Sequence, residues 1–319
     1  MTENTICREA LNMTNLPTEP VDFRHLPLEA IIERSHVLVE ALPYIRQFRG
    51  ANIVIKYGGA AMVDPKLKDL VIQDIALMSI VGMNPVVVHG GGPEISRLMK
   101  KLGLEPQFVS GQRVTDAATL DVAEMVLAGK INSELTLQLN RAGARACGIS
   151  GKDAGLILAR KLLHRDGDSG SEVDIGFVGD VVSVDPTIIE IFEKNEIVPV
   201  IAPIGVDETG QTYNINADTV ASDIAGALKA DKFILLTDVE GILRDRNDKA
   251  SLIQSLRAEE AEALIREGVI AGGMIPKVRA CLDALRAGVK KTHILDGRLP
   301  HSLLLEVFTV KGIGTQIVP

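Results

Sequence analysis

The chain has no tryptophan, and Phe, Trp and Tyr together make up only 3% of its 319 residues. That poverty removes the aromatic platforms on which single-stranded nucleic acid stacks. A net charge of −8 argues against a nucleic-acid surface of any kind, although local basic patches can still serve anionic substrates. The three cysteines, Cys7, Cys147 and Cys281, lie far apart without metal spacing and read as reduced thiols in a reducing compartment. None of the six histidines, His25, His36, His89, His164, His293 and His301, falls in a metal-like pair, so spacing indicates no metal site. No apolar run approaches membrane-spanning length. The first residues include Glu3 and Glu9 and lack an apolar core, which fits neither a secretory signal nor an Arg-rich transit peptide. The cytoplasm is the expected compartment. The glycine turns do not spell a dinucleotide fingerprint, and there is no Gly-x4-Gly-Lys-Ser/Thr loop and no nucleophile elbow. These absences exclude a Walker-type NTPase, an obvious dehydrogenase and a Ser/His/Asp hydrolase.

What is present is apolar and periodic. A hydrophobic content of 46% can bury a large core, and the length suits one large domain or two lobes. Residues 1 to about 27 carry Asn, Thr and Pro with little periodicity and read as a mobile extension. From Pro27 onward, Leu28, Ile31, Ile32, Val39, Leu42 and Ile45 recur at helical spacing, which predicts an amphipathic helix with a kink near Pro43. Its apolar stripe faces either its own domain or another chain. Strand and helix patterns then alternate, predicting βαβ units around a mainly parallel sheet covered on both faces. Predicted strands lie at 53–57, 85–89, 156–159, 197–201, 233–237 and 292–295. Predicted helices lie at 66–82, 93–102, 116–129, 132–142, 187–194, 217–229, 258–267 and 276–287. The interval 161–185 reads as a hairpin.

Two β-rich runs stop on glycines, Ile53-Val-Ile-Lys-Tyr-Gly-Gly59 and Pro85-Val-Val-Val-His-Gly-Gly-Gly92. Consecutive glycines let backbone N–H groups crowd against an anion that side chains would exclude, and a following helix N-terminus adds free donors and a favourable dipole. Lys56 brings a full positive charge to the first turn. One such unit is unspecific; two in tandem, one with a lysine, point to phosphate.

A second polar set comprises Asn214-Ile-Asn-Ala-Asp218, then Phe233-Ile-Leu-Leu-Thr-Asp238 ending near Gly241, then Gly272-Gly-Met-Ile-Pro-Lys277. Asp218, in the first turn of a predicted helix, is either a helix cap or a carboxylate that holds lysines or metal. Lys277 opens a helix, a poor place for a cation by the dipole argument, so a nearby phosphate accounts for it better than solvent. Arg113 is either a surface hairpin arginine or a planar fork for a substrate carboxylate. His89 reads as a hydrogen-bonded strand-end residue rather than a catalyst.

Taken in order, Lys56-Tyr-Gly-Gly59, His89-Gly-Gly-Gly92, Arg113-Val-Thr115, Asn214-Ile-Asn-Ala-Asp218, Leu236-Thr-Asp238 and Gly272-Gly-Met-Ile-Pro-Lys277 resemble the amino-acid-kinase family over about residues 37–319. Within it they are similar to the branch that phosphorylates N-acetyl-L-glutamate in arginine synthesis. The resemblance implies an αβα sandwich around a mainly parallel sheet of about eight strands. It implies an N-terminal extension and interlocking helix (1–50), an acceptor and dimerisation lobe (51–206) and a nucleotide lobe with an effector segment (207–319). Lys56 and Lys277 match transition-state lysines, and Asp218 matches the carboxylate that orients them. Gly58, Gly59 and Gly91 match the phosphate path, while Gly91, Gly92, Arg113 and Asn214 match acceptor contacts. Thr237, Asp238, Val239, Gly241, Ile242, Val269, Ile270 and Ala271 match the nucleotide pocket. ATP with Mg²⁺ bridged by phosphates is the implied co-substrate, with no protein metal site, no permanently bound cofactor and no general base.

His293-Ile-Leu-Asp-Gly-Arg298, Pro300-His-Ser-Leu-Leu-Leu-Glu306, Lys311-Gly-Ile-Gly-Thr315 and Glu40-Ala-Leu-Pro-Tyr44 resemble the arginine-inhibited members, which form a hexamer, a trimer of dimers joined by the N-terminal helix. Tyr44, Lys232, His293, Glu306 and Gly312 match their arginine site, the alternative being that these residues simply close the C-terminal lobe. Such members in oxygenic phototrophs also bind the PII signalling protein, of which the sequence itself carries no sign. Gln112 departs from the apolar residue expected there. Rival readings are aspartate kinase or uridylate kinase of the same fold, and a non-catalytic arginine-sensing ring; Lys56, Lys277 and Asp218 are all present, which disfavours the sensor.

Overall fold

The structure is a computed structural model that describes residues 27–165, 172–309 and 312–319. The extension expected for residues 1–27 thus falls almost wholly outside the described residues, as does the tip of the 161–185 hairpin. Helix α1 (Leu28–Phe48) leads into β1 (Asn52–Tyr57), followed by α2 (Ala60–Val63), α3 (Pro65–Ile80), β2 (Asn84–His89) and α4 (Gly92–Lys101). A short hairpin, β3 (Phe108–Val109) and β4 (Gln112–Arg113), precedes α5 (Ala117–Glu124), a π-helical segment (Met125–Ile131) and α6 (Asn132–Arg141), which follow one another without a break in helical backbone. Then come β5 (Arg145–Ser150), β6 (Ile157–Lys161), β7 (His164–Arg165), β8 (Glu172–Val173), β9 (Val178–Val184), α7 (Thr187–Lys194), β10 (Ile197–Ala202), β11 (Ile204–Val206) and β12 (Thr212–Ile215). The chain ends through α8 (Ala217–Ala227), β13 (Lys232–Thr237), β14 (Ser255–Arg257), α9 (Ala258–Arg266), α10 (Met274–Arg286), β15 (Thr292–Asp296), α11 (Ser302–Val307) and β16 (Thr315–Val318).

Eight strands form the central sheet in the order β14-β16-β15-β13-β1-β2-β10-β5. Six run parallel; β16 is antiparallel to β15, and β14 runs with β16. The expected α/β sandwich with a mainly parallel sheet is therefore what the chain adopts. Strands buried on both faces need continuous apolar runs, and β1, β2, β10, β13 and β15 have them. One hydrophobic cluster gathers Val54, Val86, Val88, Phe233 and Leu235 under α8 and α10; the other gathers Ile53, Ile55, Tyr57, Val87 and Ile234 under α3, α6 and α11. Because side chains alternate across a strand, Lys56 projects to the α8 face with Val54, whereas His89 projects to the α6 face with Val87.

Three details depart from expectation. The strand expected at 156–159 is β6, and it belongs to a closed four-stranded unit, β11-β12-β9-β6, instead of the main sheet. Its main-sheet place is taken by β5, an edge strand poor in β-branched residues and interrupted by Gly148, and β14 and β16 complete the other edge. No break separates 129 from 132, where the helical backbone runs on through the π segment, and the helix expected from Pro27 onward is α1, with Pro43 inside it. The antiparallel pairing expected within 161–185 is present as β7–β8, and β9 pairs back onto β6.

Candidate active site

Asn216 caps α8, accepting from the N–H groups of Asp218 and Thr219 at 2.8 and 3.3 Å. This turn presents Asp218 toward the carboxyl ends of β1 and β2, where an open parallel sheet forms its ligand crevice. Lys56 Nζ lies 3.0 Å from Asp218 Oδ1, and Lys277 Nζ lies 3.0 Å from Oδ2. Burial by itself raises the Asp218 pKa, but the two ammonium groups outweigh it and hold the carboxyl below the ordinary aspartate range. One carboxylate thus fixes two cations that come from strands and helices more than 200 residues apart.

Lys56 lines one cavity and Lys277 another, and a third shares Gly90–Gly92 with the Lys56 cleft. A cavity of about 310 Å³ is lined by Gly91, Gly92, Arg113 and Asn214 together with Phe108 and Gln112. Arg113 is tied down by the Gly92 carbonyl and Ser96 Oγ, both at 2.8 Å, and its guanidinium stacks 4.7 Å above the Phe108 ring. Among the described residues, Gln112 Oε1 is buried with no hydrogen-bond partner. A cleft of about 530 Å³ is floored by Lys56, Gly58, Gly59 and Gly90–Gly92 and rimmed by Lys68, Arg97 and Lys130. A third cavity, about 510 Å³, is lined by Asp238, Val239, Gly241, Ile242, Val269, Ile270, Ala271 and Lys277. Thr237 stands apart from that lining: it is 2% exposed, and its hydroxyl accepts from the Val239 N–H at 3.3 Å, so it braces the turn at the end of β13.

The five residues matched to an arginine effector also converge, at the opposite end of the sheet. His293 Nδ1 is 2.8 Å from Glu306 Oε1, Lys232 Nζ is 3.4 Å from His293 Nε2, and the Ile313 N–H, next to Gly312, donates to Glu306 Oε2 at 3.1 Å. Tyr44 packs edge-on against Phe308 of the segment after α11, and Lys232 sits 5.1 Å above the ring of Phe48. Burial by itself raises the Glu306 pKa, and His293 and Lys232 bring it below the usual range.

Sequence reading passed over two groups that shape the glycine turns. Leu127 and Ile131 of the π segment press on Gly91, where a Cβ would stand 2.6 and 2.7 Å from their methyl groups. Asn132, 4% exposed, reaches His89. Neither carries a sequence signal, because a π-helical insertion has no distinctive composition and Asn132 lies 43 residues from its partner.

Known proteins give a consistent picture. The Amino acid kinase family matches residues 52–296. An acetylglutamate kinase of Heliobacterium modesticaldum is 58% identical over 290 residues, covering 90% of this chain and 98% of its own. One from Moorella thermoacetica is 57% identical over 291 residues with the same coverage. Among solved structures, an N-acetylglutamate synthase from Neisseria gonorrhoeae, complexed with coenzyme A and N-acetyl-glutamate, superposes with a TM-score of 0.76 at 29% identity, covering 89% of this chain and 63% of that longer one. Carbamate kinase from Giardia lamblia bound to AMP-PNP, at 18% identity and a TM-score of 0.60 over 84% of this chain and 98% of that one, shares the fold. With the family match spanning most of the sequence and these identities behind it, the chain belongs to the amino acid kinase family.

Proposed function

We infer that the chain transfers the γ-phosphoryl group of ATP to the side-chain carboxylate of N-acetyl-L-glutamate, giving N-acetyl-L-glutamyl 5-phosphate in arginine biosynthesis (EC 2.7.2.8). Relatives named acetylglutamate kinase, 54–58% identical over nearly their whole length, support this reaction over aspartate kinase or uridylate kinase. The observation that carries the mechanism is Asp218 clamped at 3.0 Å by both Lys56 and Lys277, each of which lines a cavity of its own.

In-line transfer between two anions concentrates charge on the phosphoryl group in flight, so positioned cations do more than any nucleophile. Lys56 faces the acceptor side and Lys277 the nucleotide side, each held by Asp218. Arg113, with Gly91, Gly92 and Asn214, receives the acceptor and pairs with its free carboxylate. Asp238, Val239, Gly241, Ile242, Val269, Ile270 and Ala271 hold the nucleotide, with Thr237 bracing the loop from inside. Gly58, Gly59 and Gly91 line the phosphate path. The acceptor is already a carboxylate and needs no general base. Mg²⁺ would be carried mainly by the nucleotide phosphates and would neutralise their charge. Residues 51–206 form the acceptor lobe and 207–319 the nucleotide lobe in this reading.

Arginine is the proposed inhibitor, its cationic group meeting Glu306 within the Tyr44, Lys232, His293 and Gly312 cluster. The exposed apolar side chains of α1 are proposed to join copies of the chain into a hexamer. No helix among the described residues is long and apolar enough to cross a membrane, and the cytoplasm is the proposed compartment.

Acyl phosphate trapped with hydroxylamine tests the reaction. Turnover should be selective for N-acetylglutamate over glutamate and aspartate, and absence of turnover with every acceptor would favour the sensor instead. Lys277→Ala should lower kcat by about 10²-fold or more while the acceptor KM changes little, as for an interaction strongest in the transition state. An unchanged kcat would remove Lys277 from the mechanism.

A further inference from the structure

The triple-glycine turn is held from behind by a hydrogen-bonded relay that the motif reading leaves without a task. His89 is fully buried at the end of β2, and Asn132 opens α6 directly after the π segment. Asn132 Nδ2 lies 2.8 Å from the Val200 carbonyl, 3.2 Å from the Ile149 carbonyl and 3.2 Å from His89 Nε2. Two carbonyl oxygens can only accept, so the amide nitrogen must be the atom that faces them. Its two hydrogens are shared among these three contacts, and because an amide NH2 cannot accept, the ring nitrogen that faces it, His89 Nε2, is the one without a proton. The ring proton is left on Nδ1, which donates to the Gly90 carbonyl at 2.9 Å. Each step fixes the next.

A trans peptide is planar, with its C=O and N–H pointing in opposite directions. Once His89 holds the Gly90 carbonyl, the N–H of Gly91 must point away from it. Among the described residues no backbone acceptor takes that N–H. Gly91 lines both the acceptor cavity and the Lys56 cleft. Leu127 and Ile131 close on its Cα from the π segment, so the peptide is restrained by the relay and by packing at once. The backing extends one layer further: a Cβ on Gly148 of β5 would fall 1.8 Å from Asn132 Oδ1, so only glycine leaves the amide room.

We propose that His89 and Asn132 are positioning residues that lock the Gly90–Gly91 peptide so that the Gly91 N–H is aimed, before substrate arrives, at the phosphoryl group in transfer. This rests on the phosphoryl-transfer reading above. It assigns His89 no proton transfer: burial lowers its pKa to about 4, which keeps the imidazole neutral at neutral pH. A donor already in place costs no reorganisation when charge develops.

The test uses the full chain and two near-isosteric variants. His89→Asn keeps an N–H donor at the Nδ1 position, whereas His89→Gln places its polar atoms at the Nε2 position. His89→Gln should lower kcat by about tenfold to a hundredfold, with the acceptor KM nearly unchanged, and His89→Asn should restore most of the loss. In parallel, ¹⁵N spectra of histidine-labelled wild-type protein should show His89 as the neutral Nδ1–H tautomer at neutral pH. Equal kcat in the Asn and Gln variants, or an Nε2–H tautomer or imidazolium in the wild type, would overturn the proposal. Should both variants fail to fold, the wild-type tautomer decides. A wild type that makes no acyl phosphate would instead sink the transfer reading.

Discussion

Asp218 and Asp74 are both buried carboxylates, and their surroundings push them in opposite directions. Asp218 meets two ammonium groups at 3.0 Å and stays ionised. Asp74, in α3, is 0% exposed and pairs with His301 Nδ1 at 2.6 Å; burial outweighs this partner and raises the pKa to about 6. A carboxyl whose folded pKa exceeds its unfolded value binds its proton more tightly when folded. Its contribution is therefore full below the unfolded pKa and is lost as pH rises through about 6. Replacing Asp74 by Asn removes that titration. Relative to wild type, the Asn variant should gain on the order of 2 kcal/mol between about pH 4 and pH 7, read from unfolding curves at each pH. Parallel pH profiles for the two proteins would contradict this. The candidate lysines, Asp218 and Arg113 were legible from motif order, since charges next to glycine turns are rarely accidental. Asp74, Asn132 and the bracing role of Thr237 were not, because burial and orientation are set by partners distant in sequence.

The π segment, Met125–Ile131, joins fold to site at the level of elements. Its wider turn brings Leu127 and Ile131 against Gly91 and sets Asn132 toward His89, and such insertions recur at functional sites. Gly91→Ala should overpack this contact at a cost of about 1–3 kcal/mol, and turnover should fall with it. Adding Leu127→Ala opens the space that the new methyl needs, so the double variant should be more stable than the sum of the two single changes predicts. Strict additivity in thermal unfolding would show that the two residues do not touch. Strands β1, β2, β10, β13 and β15 could be read as buried β-branched runs. Strands β5 and β14, the two edges of the main sheet, could not, because edge strands pack on fewer neighbours and their composition is less constrained.

For the whole molecule, the informative surface is α1, whose Leu28, Val37, Leu38, Val39 and Leu42 are each more than half exposed. An apolar stripe of that extent marks an interaction site more often than a bare surface. Leu38→Glu with Leu42→Glu should reduce the sedimenting mass to a smaller assembly and leave basal acyl-phosphate formation intact. The proposed arginine inhibition should weaken in the same variant, because at the far end of α1 Tyr44 packs on Phe308, just after Glu306, and Phe48 lies under Lys232. Glu306→Ala should move the arginine curve to higher concentration without a change in mass; an unmoved curve would dissociate that cluster from arginine. The sequence by itself determined the α/β class, the order of the glycine and lysine motifs and the kind of anion they suit, because strand burial and phosphate binding impose local composition. Only the tertiary structure decided that β6 leaves the main sheet and β5 takes its edge, that Thr237 braces its turn instead of lining the nucleotide cavity, and that His89 and Asn132 stand behind the triple glycine. Those outcomes depend on which distant side chains reach the same few ångströms, and chain order does not record that.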